Sequence, residues 1–280
     1  MKLKGITVCY LGQPGSYSFL AAMKYFKNVN NLTGCNSFEE IFGNLKEKKS
    51  DFGIIPIENS LTGSITQNYD LLMRSNCFIV GEILLKIKHH LLVKRETKDK
   101  LNNLLYCYAH SESLKQCHNF FLLNKNIKPV FAEDSASAAM LLRKNGSNFY
   151  CAIASRQAAK INKLKILDID VQNDDDNYTR FAVISRLTNK RGNKASIIFS
   201  VVHKPGSLLR TLAPYAEAGL NLTKIESRPI IGKPWEYIFI VDFILHKDTT
   251  KLNKVLKEMK KSTNYLKLLG LYDTGMIYES

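Results

Sequence analysis

Two rhythms alternate along this chain, and the switches between them mark its elements. Residues 6–11 form an apolar run of strand length, the turn Gly12-Gln13-Pro14-Gly15-Ser16-Tyr17 follows, and residues 18–26 carry apolar positions at helical spacing. Ser37-Phe38-Glu39-Glu40 has the pattern of a capping box and opens a second helix to about residue 49. A buried strand at 52–57 ends in Pro56-Ile57-Glu58-Asn59-Ser60-Leu61-Thr62-Gly63-Ser64-Ile65, before a helix carrying Tyr69, Leu71 and Leu72. Residues 77–94 are apolar with basic interruptions and are expected to cross between two lobes. A strand at 104–108 leads through Ala109-His110-Ser111-Glu112 into a helix reaching Phe121. A short strand at 130–131 precedes a helix at 138–143 capped within Glu133-Asp134-Ser135-Ala136-Ser137. A strand at 150–154 and a small helix from Ser155 follow, and residues 180–186 alternate as a strand. Strand and helix in regular succession predict an α/β domain.

The polar stretch 187–194 reads as a linker, and the pattern then starts afresh. Strand 195–202, helix 207–218, strand 220–226, strand 237–245, helix 251–260 and strand 265–271 give βαββαβ, the ferredoxin-like layout. A sheet covered by helices on one face leaves an edge able to pair with another copy.

Candidate chemistry gathers at strand ends, where α/β proteins place ligands. Asp174-Asp175-Asp176-Asn177-Tyr178-Thr179-Arg180-Phe181 sets a hydroxyl, a guanidinium and an aromatic ring side by side after an acidic loop; the simpler reading pairs Arg180 with one of the three Asp residues. Glu58, Asn59, Ser60, Thr62 and Ser64 form a second polar group, in which Ser64 alone would suffice as a helix cap. The turn at Gly12–Gly15 leaves backbone N–H groups that can meet an anion or simply make a tight turn. His110 reads as a helix-start residue.

Composition narrows the class. At 280 residues and 45% hydrophobic content, the chain can bury one large core or two. No apolar run approaches the length of a membrane span, and Met1-Lys2-Leu3-Lys4-Gly5-Ile6 is too short and interrupted for a signal peptide, so a cytoplasmic location is expected. The net charge of +15 is spread over scattered lysines, which argues against nucleic acid and for steering of a small polyanion. The six cysteines form no C-x-x-C pair and lie in apolar runs, as reduced core residues do. His89 and His90, adjacent on a strand, point to opposite faces and cannot chelate one ion together, so no metal is expected.

The series Tyr10-Leu11-Gly12, Pro56-Ile57-Glu58-Asn59-Ser60, Gln116-Cys117, Asp134-Ser135-Ala136-Ser137-Ala138-Ala139 and Asn177-Tyr178-Thr179-Arg180-Phe181 resembles prephenate dehydratase. Gly206-Ser207-Leu208-Leu209 and Asn221-Leu222-Thr223-Lys224-Ile225-Glu226-Ser227-Arg228-Pro229 look like the phenylalanine-binding ACT domain that accompanies it. The resemblance covers nearly the whole chain. It implies a two-lobed α/β catalytic unit like a type II periplasmic binding protein at 1–187, with the site in its cleft, and a ferredoxin-like ACT domain at 195–280. The implied reaction is decarboxylative dehydration of prephenate to phenylpyruvate, without metal or organic cofactor.

Within that resemblance Thr179 is the group that donates to the leaving oxygen, Asn59 and Gln116 bind and orient substrate, and Ser60 and Ser64 line the loop. Arg180 is expected to clamp a carboxylate through its planar fork of donors, with Phe181 packed behind it. Gly206, Ser207 and Leu208, with Asn221, Glu226, Ser227, Arg228 and Pro229, resemble the phenylalanine site formed where two ACT modules meet. Feedback inhibition by L-phenylalanine and self-association as dimer or tetramer are therefore expected, with no nucleic-acid or membrane partner. The family's Ser-His-Pro-Gln is replaced here by Ala109-His110-Ser111-Glu112. An acid facing a dianion would repel it, so Glu112 is expected to point away from the cleft. The preference between prephenate and its amino analogue arogenate stays open, and a non-catalytic amino-acid sensor is the alternative without chemistry.

Overall fold

The computed structural model describes residues 5–97, 101–145, 147–230, 232–245 and 249–280. They divide into two compact units, the described residues of 5–66, 83–181 and 276–280 in the first and those of 67–82 and 182–275 in the second.

In the first lobe of the first unit, strand Thr7–Leu11 lies between Asn31–Cys35 and Phe52–Asn59, all parallel. The first residues of Tyr178–Ser185 and the last of Phe78–Lys86 continue this sheet, and Ile277–Glu279 pairs in parallel with Leu84–Lys86. Helix Tyr17–Phe26 begins at Ser16, whose Oγ accepts from Phe19 N at 3.2 Å. Helix Phe38–Lys46 begins at Ser37, whose Oγ accepts from Glu40 N at 3.2 Å, while Glu40 Oε2 accepts from Asn36 N at 2.7 Å. The predicted capping box thus closes one residue early. Gly63–Ser64 folds back on Glu58 and Asn59 as a short antiparallel strand, so Ser64 is a sheet residue rather than the cap of helix Thr66–Arg74.

The apolar stretch 77–94 does cross between lobes, but as two strands in different sheets, Phe78–Lys86 and His90–Val93. The returning segment runs beside the crossing, with Val171 N donating to His89 O at 2.9 Å and Ile87 N to Asn177 O at 2.7 Å. The second lobe is a mixed sheet in the order Lys165–Asp168, His90–Val93, Tyr150–Ala154, Tyr106–Ala109, Lys128–Phe131. Successive side chains alternate between faces. Leu91, Cys107 and Ile153 pack under Cys117 and Phe120 on one face, while Leu92, Ala152 and Ala154 pack under Ala138, Ala139 and Ala158 on the other. The helix expected to reach Phe121 breaks at Cys117 into Ser111–Gln116 and His118–Leu123. All six cysteines are free and buried.

The glycine turn staples the two lobes. Gly12 N donates to Cys35 O at 2.8 Å and Gln13 N to Asp134 Oδ2 at 3.3 Å, and Gly15 O accepts from Ser155 Oγ at 2.8 Å. A Cβ on Gly15 would stand 2.9 Å from Ala158 Cα, so the turn seats directly on the second lobe's backbone. The Gly12, Gln13 and Ser16 amides of the turn are taken by protein acceptors, Ser16 N by Gln13 O at 3.0 Å.

The second unit contains the βαββαβ fold. Strands run antiparallel in the order Asn221–Ile230, Lys233–Ile244, Lys194–Val201, Thr263–Tyr272. Helices Ser207–Glu217 and Thr249–Lys260 bury Tyr215, Leu252, Val255 and Met259 against Ile197, Phe199, Val241 and Phe243. Residues 67–82 belong with this unit. Lys267 Nζ donates to Leu72 O at 2.7 Å and Met73 O at 3.0 Å, satisfying carbonyls that a helix end leaves open. Lys194 Nζ lies 2.7 Å from Glu82 Oε2 in a buried pair. No helix among the described residues is long and apolar enough to cross a membrane.

Candidate active site

The first unit holds a cavity of about 660 Å³, within the range of small-molecule sites. Asn59, Gln116, Thr179 and Phe181 all line it, together with Ser16, Tyr17, Ser18, His89, His110 and Asp134. Strand Tyr178–Ser185 supplies two of these at once. Its alternation turns Thr179 and Phe181 to the cavity and Arg180 to the other face.

Arg180 is therefore not where a carboxylate clamp is needed. Its Nε lies 3.2 Å from Glu58 Oε2, an acid on the neighbouring strand rather than one of the three Asp residues. Those Asp residues form a local loop instead, with Asp176 N donating to Asp174 Oδ1 at 2.7 Å and Gln172 Nε2 to Asp175 Oδ1 at 3.2 Å. Ser60 and Ser64 are also outside the lining. Ser60 Oγ donates to Asp176 O at 2.7 Å and accepts from Tyr178 N at 2.9 Å, tying the Asn59 loop to the start of the Thr179 strand.

Asn59 organises the centre. Its Oδ1 accepts from Leu61 N at 3.0 Å and Thr62 N at 3.1 Å, which fixes its amide nitrogen as the donor. That nitrogen lies 2.7 Å from Asn177 Oδ1 and 3.0 Å from Thr179 Oγ1. Asn177 Nδ2 in turn donates to Gln116 Oε1 at 2.9 Å. Residues 59, 116, 177 and 179 thus meet in one network, although they come from three separate stretches. Asn177 and His89 have no place in the expected site. Asn177 stands beside Tyr178-Thr179 in the quoted motif, and its complete burial is the signal that sequence cannot carry.

The charged side chains that line the cavity are two acids, Glu112 and Asp134, and one base, Lys115. Glu112 lines it, contrary to the expectation that it points away, and Lys115 Nζ sits 2.8 Å from Glu112 Oε1. The repulsion expected from an acid is thereby offset by its neighbour three residues on. Burial pushes His89 down to about 4, against a hydrogen bond to Gln116 that raises it. Burial also lowers His110, whose Nδ1 accepts from Glu112 N at 3.3 Å, so it does act as the start of a helix. Helix Tyr17–Phe26 opens onto the cavity with Tyr17 and Ser18, and the first N–H groups of a helix have no partner within it.

In the second unit, Ser207 and Leu208 line a smaller cavity with His203, Lys204, Trp235 and Tyr237. Gly206 precedes them at φ +74°, a conformation that suits glycine. The other residues expected there do not line it. Arg228 forms a two-pronged pair with Asp70, 2.9 Å from Oδ1 and 3.2 Å from Oδ2, and Glu226 pairs with Lys224 at 3.2 Å. Asn221, Ser227 and Pro229 lie on the same strand, paired with Lys233–Ile244.

Comparison with known proteins agrees with this architecture. The family model for prephenate dehydratase matches residues 8–189, and that for the ACT domain matches residues 195–262. The bifunctional chorismate mutase/prephenate dehydratase of Aquifex aeolicus is 34% identical over 279 residues, covering 99% of this chain and 76% of that protein. The chloroplastic arogenate dehydratase/prephenate dehydratase 2 of Arabidopsis thaliana is 36% identical over 287 residues, covering 97% of this chain and 74% of that protein. In fold, the chain is similar to the crystal structure of a prephenate dehydratase from Arthrobacter aurescens in complex with L-Phe. The TM-score is 0.86 at 24% identity, over 96% of this chain and 90% of that one. On its sequence and its fold, the chain belongs to the prephenate dehydratase family, decarboxylating hydro-lyases of aromatic amino-acid biosynthesis, and carries an ACT domain.

Proposed function

We propose that the cavity around Thr179 binds prephenate and converts it to phenylpyruvate, with Thr179 as the hydroxyl that serves the leaving group. The observation that supports this most directly is the 3.0 Å bond from Asn59 Nδ2 to Thr179 Oγ1. With its oxygen accepting from Asn59, Thr179 has its own hydrogen free for the cavity. As the ring C–O bond breaks, the departing hydroxyl takes the Thr179 hydroxyl hydrogen and leaves as water, and the Thr179 oxygen, held by Asn59 Nδ2, regains a proton from solvent. The C–C bond to the ring carboxylate breaks with it, and its electron pair enters the ring. A dianion plus one proton becomes a monoanion, carbon dioxide and water, and aromatisation drives the step. The protein needs only to hold and polarise the substrate, and positioning alone is worth roughly 7 kcal/mol or more.

The two carboxylates are met without Arg180. Gln116, whose Oε1 is committed to the wall, offers its amide nitrogen. The N–H groups of Tyr17 and Ser18 and the ammonium of Lys115 complete the set. Purified protein supplied with prephenate should yield the aromatic keto acid, and a parallel assay with arogenate ranks the two substrates. Consumption of neither would remove the reading and leave the amino-acid sensor.

L-Phenylalanine inhibits, in the same proposal, by binding at the Ser207–Leu208 cavity where two ACT domains associate, in the cytoplasm. Strand Asn221–Ile230 stands at the outer edge of its sheet, as pairing between copies requires. Phenylalanine-dependent loss of turnover, with sedimentation to follow oligomer size, tests both parts.

A further inference from the structure

The network that orders Thr179 does not stop at Gln116. His89 is 2% exposed, and its Nε2 lies 2.8 Å from Gln116 Oε1 while its Nδ1 lies 3.0 Å from the Tyr17 hydroxyl. The direction of each bond follows from the backbone groups at one end, which can only donate. Leu61 N and Thr62 N make Asn59 Oδ1 the acceptor, so Asn59 Nδ2 donates to Asn177 Oδ1. Asn177 then has only its amide nitrogen to give Gln116, whose Oε1 must accept. The histidine nitrogen facing that same oxygen has to carry a hydrogen. In a neutral ring the other nitrogen accepts, and the Tyr17 hydroxyl can share its hydrogen between His89 Nδ1 and Lys88 O, 2.8 Å away. The depressed basicity of His89 keeps the ring neutral at physiological pH.

We infer that His89 is a positioning residue for the dehydratase reaction: as its Nε2–H tautomer it locks the Gln116 carbonyl oxygen to the wall and turns the Gln116 amide hydrogens into the cavity. This rests on the substrate assigned above. A glutamine amide can rotate by half a turn, and the flipped form would set an oxygen, not two hydrogens, against a carboxylate. Two donors converging on one oxygen, from Asn177 and His89, forbid the flip. The side chain that binds the anion is therefore chosen by its neighbours, and His89 need not touch substrate to set affinity.

The first test needs no activity. Nitrogen NMR of protein labelled at histidine, at neutral pH and without substrate, should show His89 protonated at Nε2; protonation at Nδ1 alone would overturn the inference even in a fully active enzyme. The second is a double-mutant cycle read in KM. His89→Phe should raise KM for prephenate about tenfold or more, the loss expected of a misdirected hydrogen bond to a charged group, with a smaller change in kcat. In a Gln116→Ala background the same substitution should add less than about twofold. Equal costs in both backgrounds would mean that His89 acts independently of Gln116, and the inference falls. Should His89→Phe not fold, His89→Leu, which also lacks a donor, is measured in the same cycle with the same two outcomes. Absence of turnover in the wild-type protein would sink the functional reading alone, because the tautomer is observed without it.

Discussion

Asn59 Nδ2 stands 3.0 Å from Thr179 Oγ1, with its own carbonyl held by two backbone N–H groups. The geometry gives Thr179 a fixed donor behind it and a free hydrogen in front. Thr179→Val should therefore lower kcat by about 100-fold or more while changing KM little, as loss of a positioned proton donor does. Thr179→Ser should retain much of the rate. Steady-state kinetics on variants with unchanged circular dichroism checks this, and near-normal turnover in Thr179→Val would remove Thr179 from the chemistry.

Glu112 and Lys115 face the cavity as a pair only 2.8 Å apart. Glu112→Gln frees the ammonium for the dianion and should lower KM several-fold at low salt, an effect that fades as ions screen the pair. Lys115→Ala should do the reverse. KM measured across an ionic-strength series decides.

Gly12 combines φ +87° with a position at which a Cβ would collide with Asp134 Oδ2. Gly12→Ala should destabilise the protein by roughly 1–3 kcal/mol through backbone strain, beyond the clash itself. Urea midpoints report the loss, and kcat should fall with it because Asp134 lines the same cavity.

Arg228 grips Asp70 on helix Thr66–Arg74, and the loop immediately before that helix carries Asn59, Thr62 and Ile65 of the cavity. If phenylalanine acts through the ACT domain, Arg228→Ala should weaken inhibition at a given effector concentration while uninhibited kcat stays within about twofold. Dose–response curves for wild type and variant test this, since allosteric coupling typically spans 5–150-fold.

His89 ordinarily titrates near 6.5 and is held at about 4 by burial. As pH falls, the unfolded chain takes up its proton first, so folding loses stability between about pH 6.5 and pH 4 and no more below that. The contribution is about 3 kcal/mol for a group this buried. His90 and His110 are also lowered by burial and add loss of the same sign. Urea denaturation at pH 7 and pH 4.5 should show a smaller drop for His89→Gln than for wild type.

Much of this was legible in the chain. Apolar runs located most strands of both units, though not Asn31–Cys35 or Ile277–Glu279, and Ser37 and Ser155 marked helix starts that the structure keeps. Motif residues Asn59, Gln116, Thr179 and Phe181 do converge on one cavity. Arg180 misled because its chemistry fits a carboxylate, whereas one step along a strand reverses the face. The strand Lys165–Asp168 was missed because it is short and half-exposed, without an apolar run to announce it. The break at Cys117 was hidden because apolar spacing continues through it, and only backbone angles of −114° and 26° reveal the interruption. The roles of Asn177 and His89 depend on partners 118 and 27 residues away, which no local pattern encodes.

Asp134 serves both lobes at once: its Oδ1 accepts from Ser137 N at 2.6 Å inside its own lobe, and its Oδ2 takes the longer, exposed bond from Gln13 N across the gap. Breathing of the cleft can break the second bond and leave the first untouched, with water replacing Gln13 at little cost. Of the two bonds by which the glycine turn ties the lobes, only this exposed one is within reach of exchange with water; the other, from Ser155 Oγ to Gly15 O, is buried.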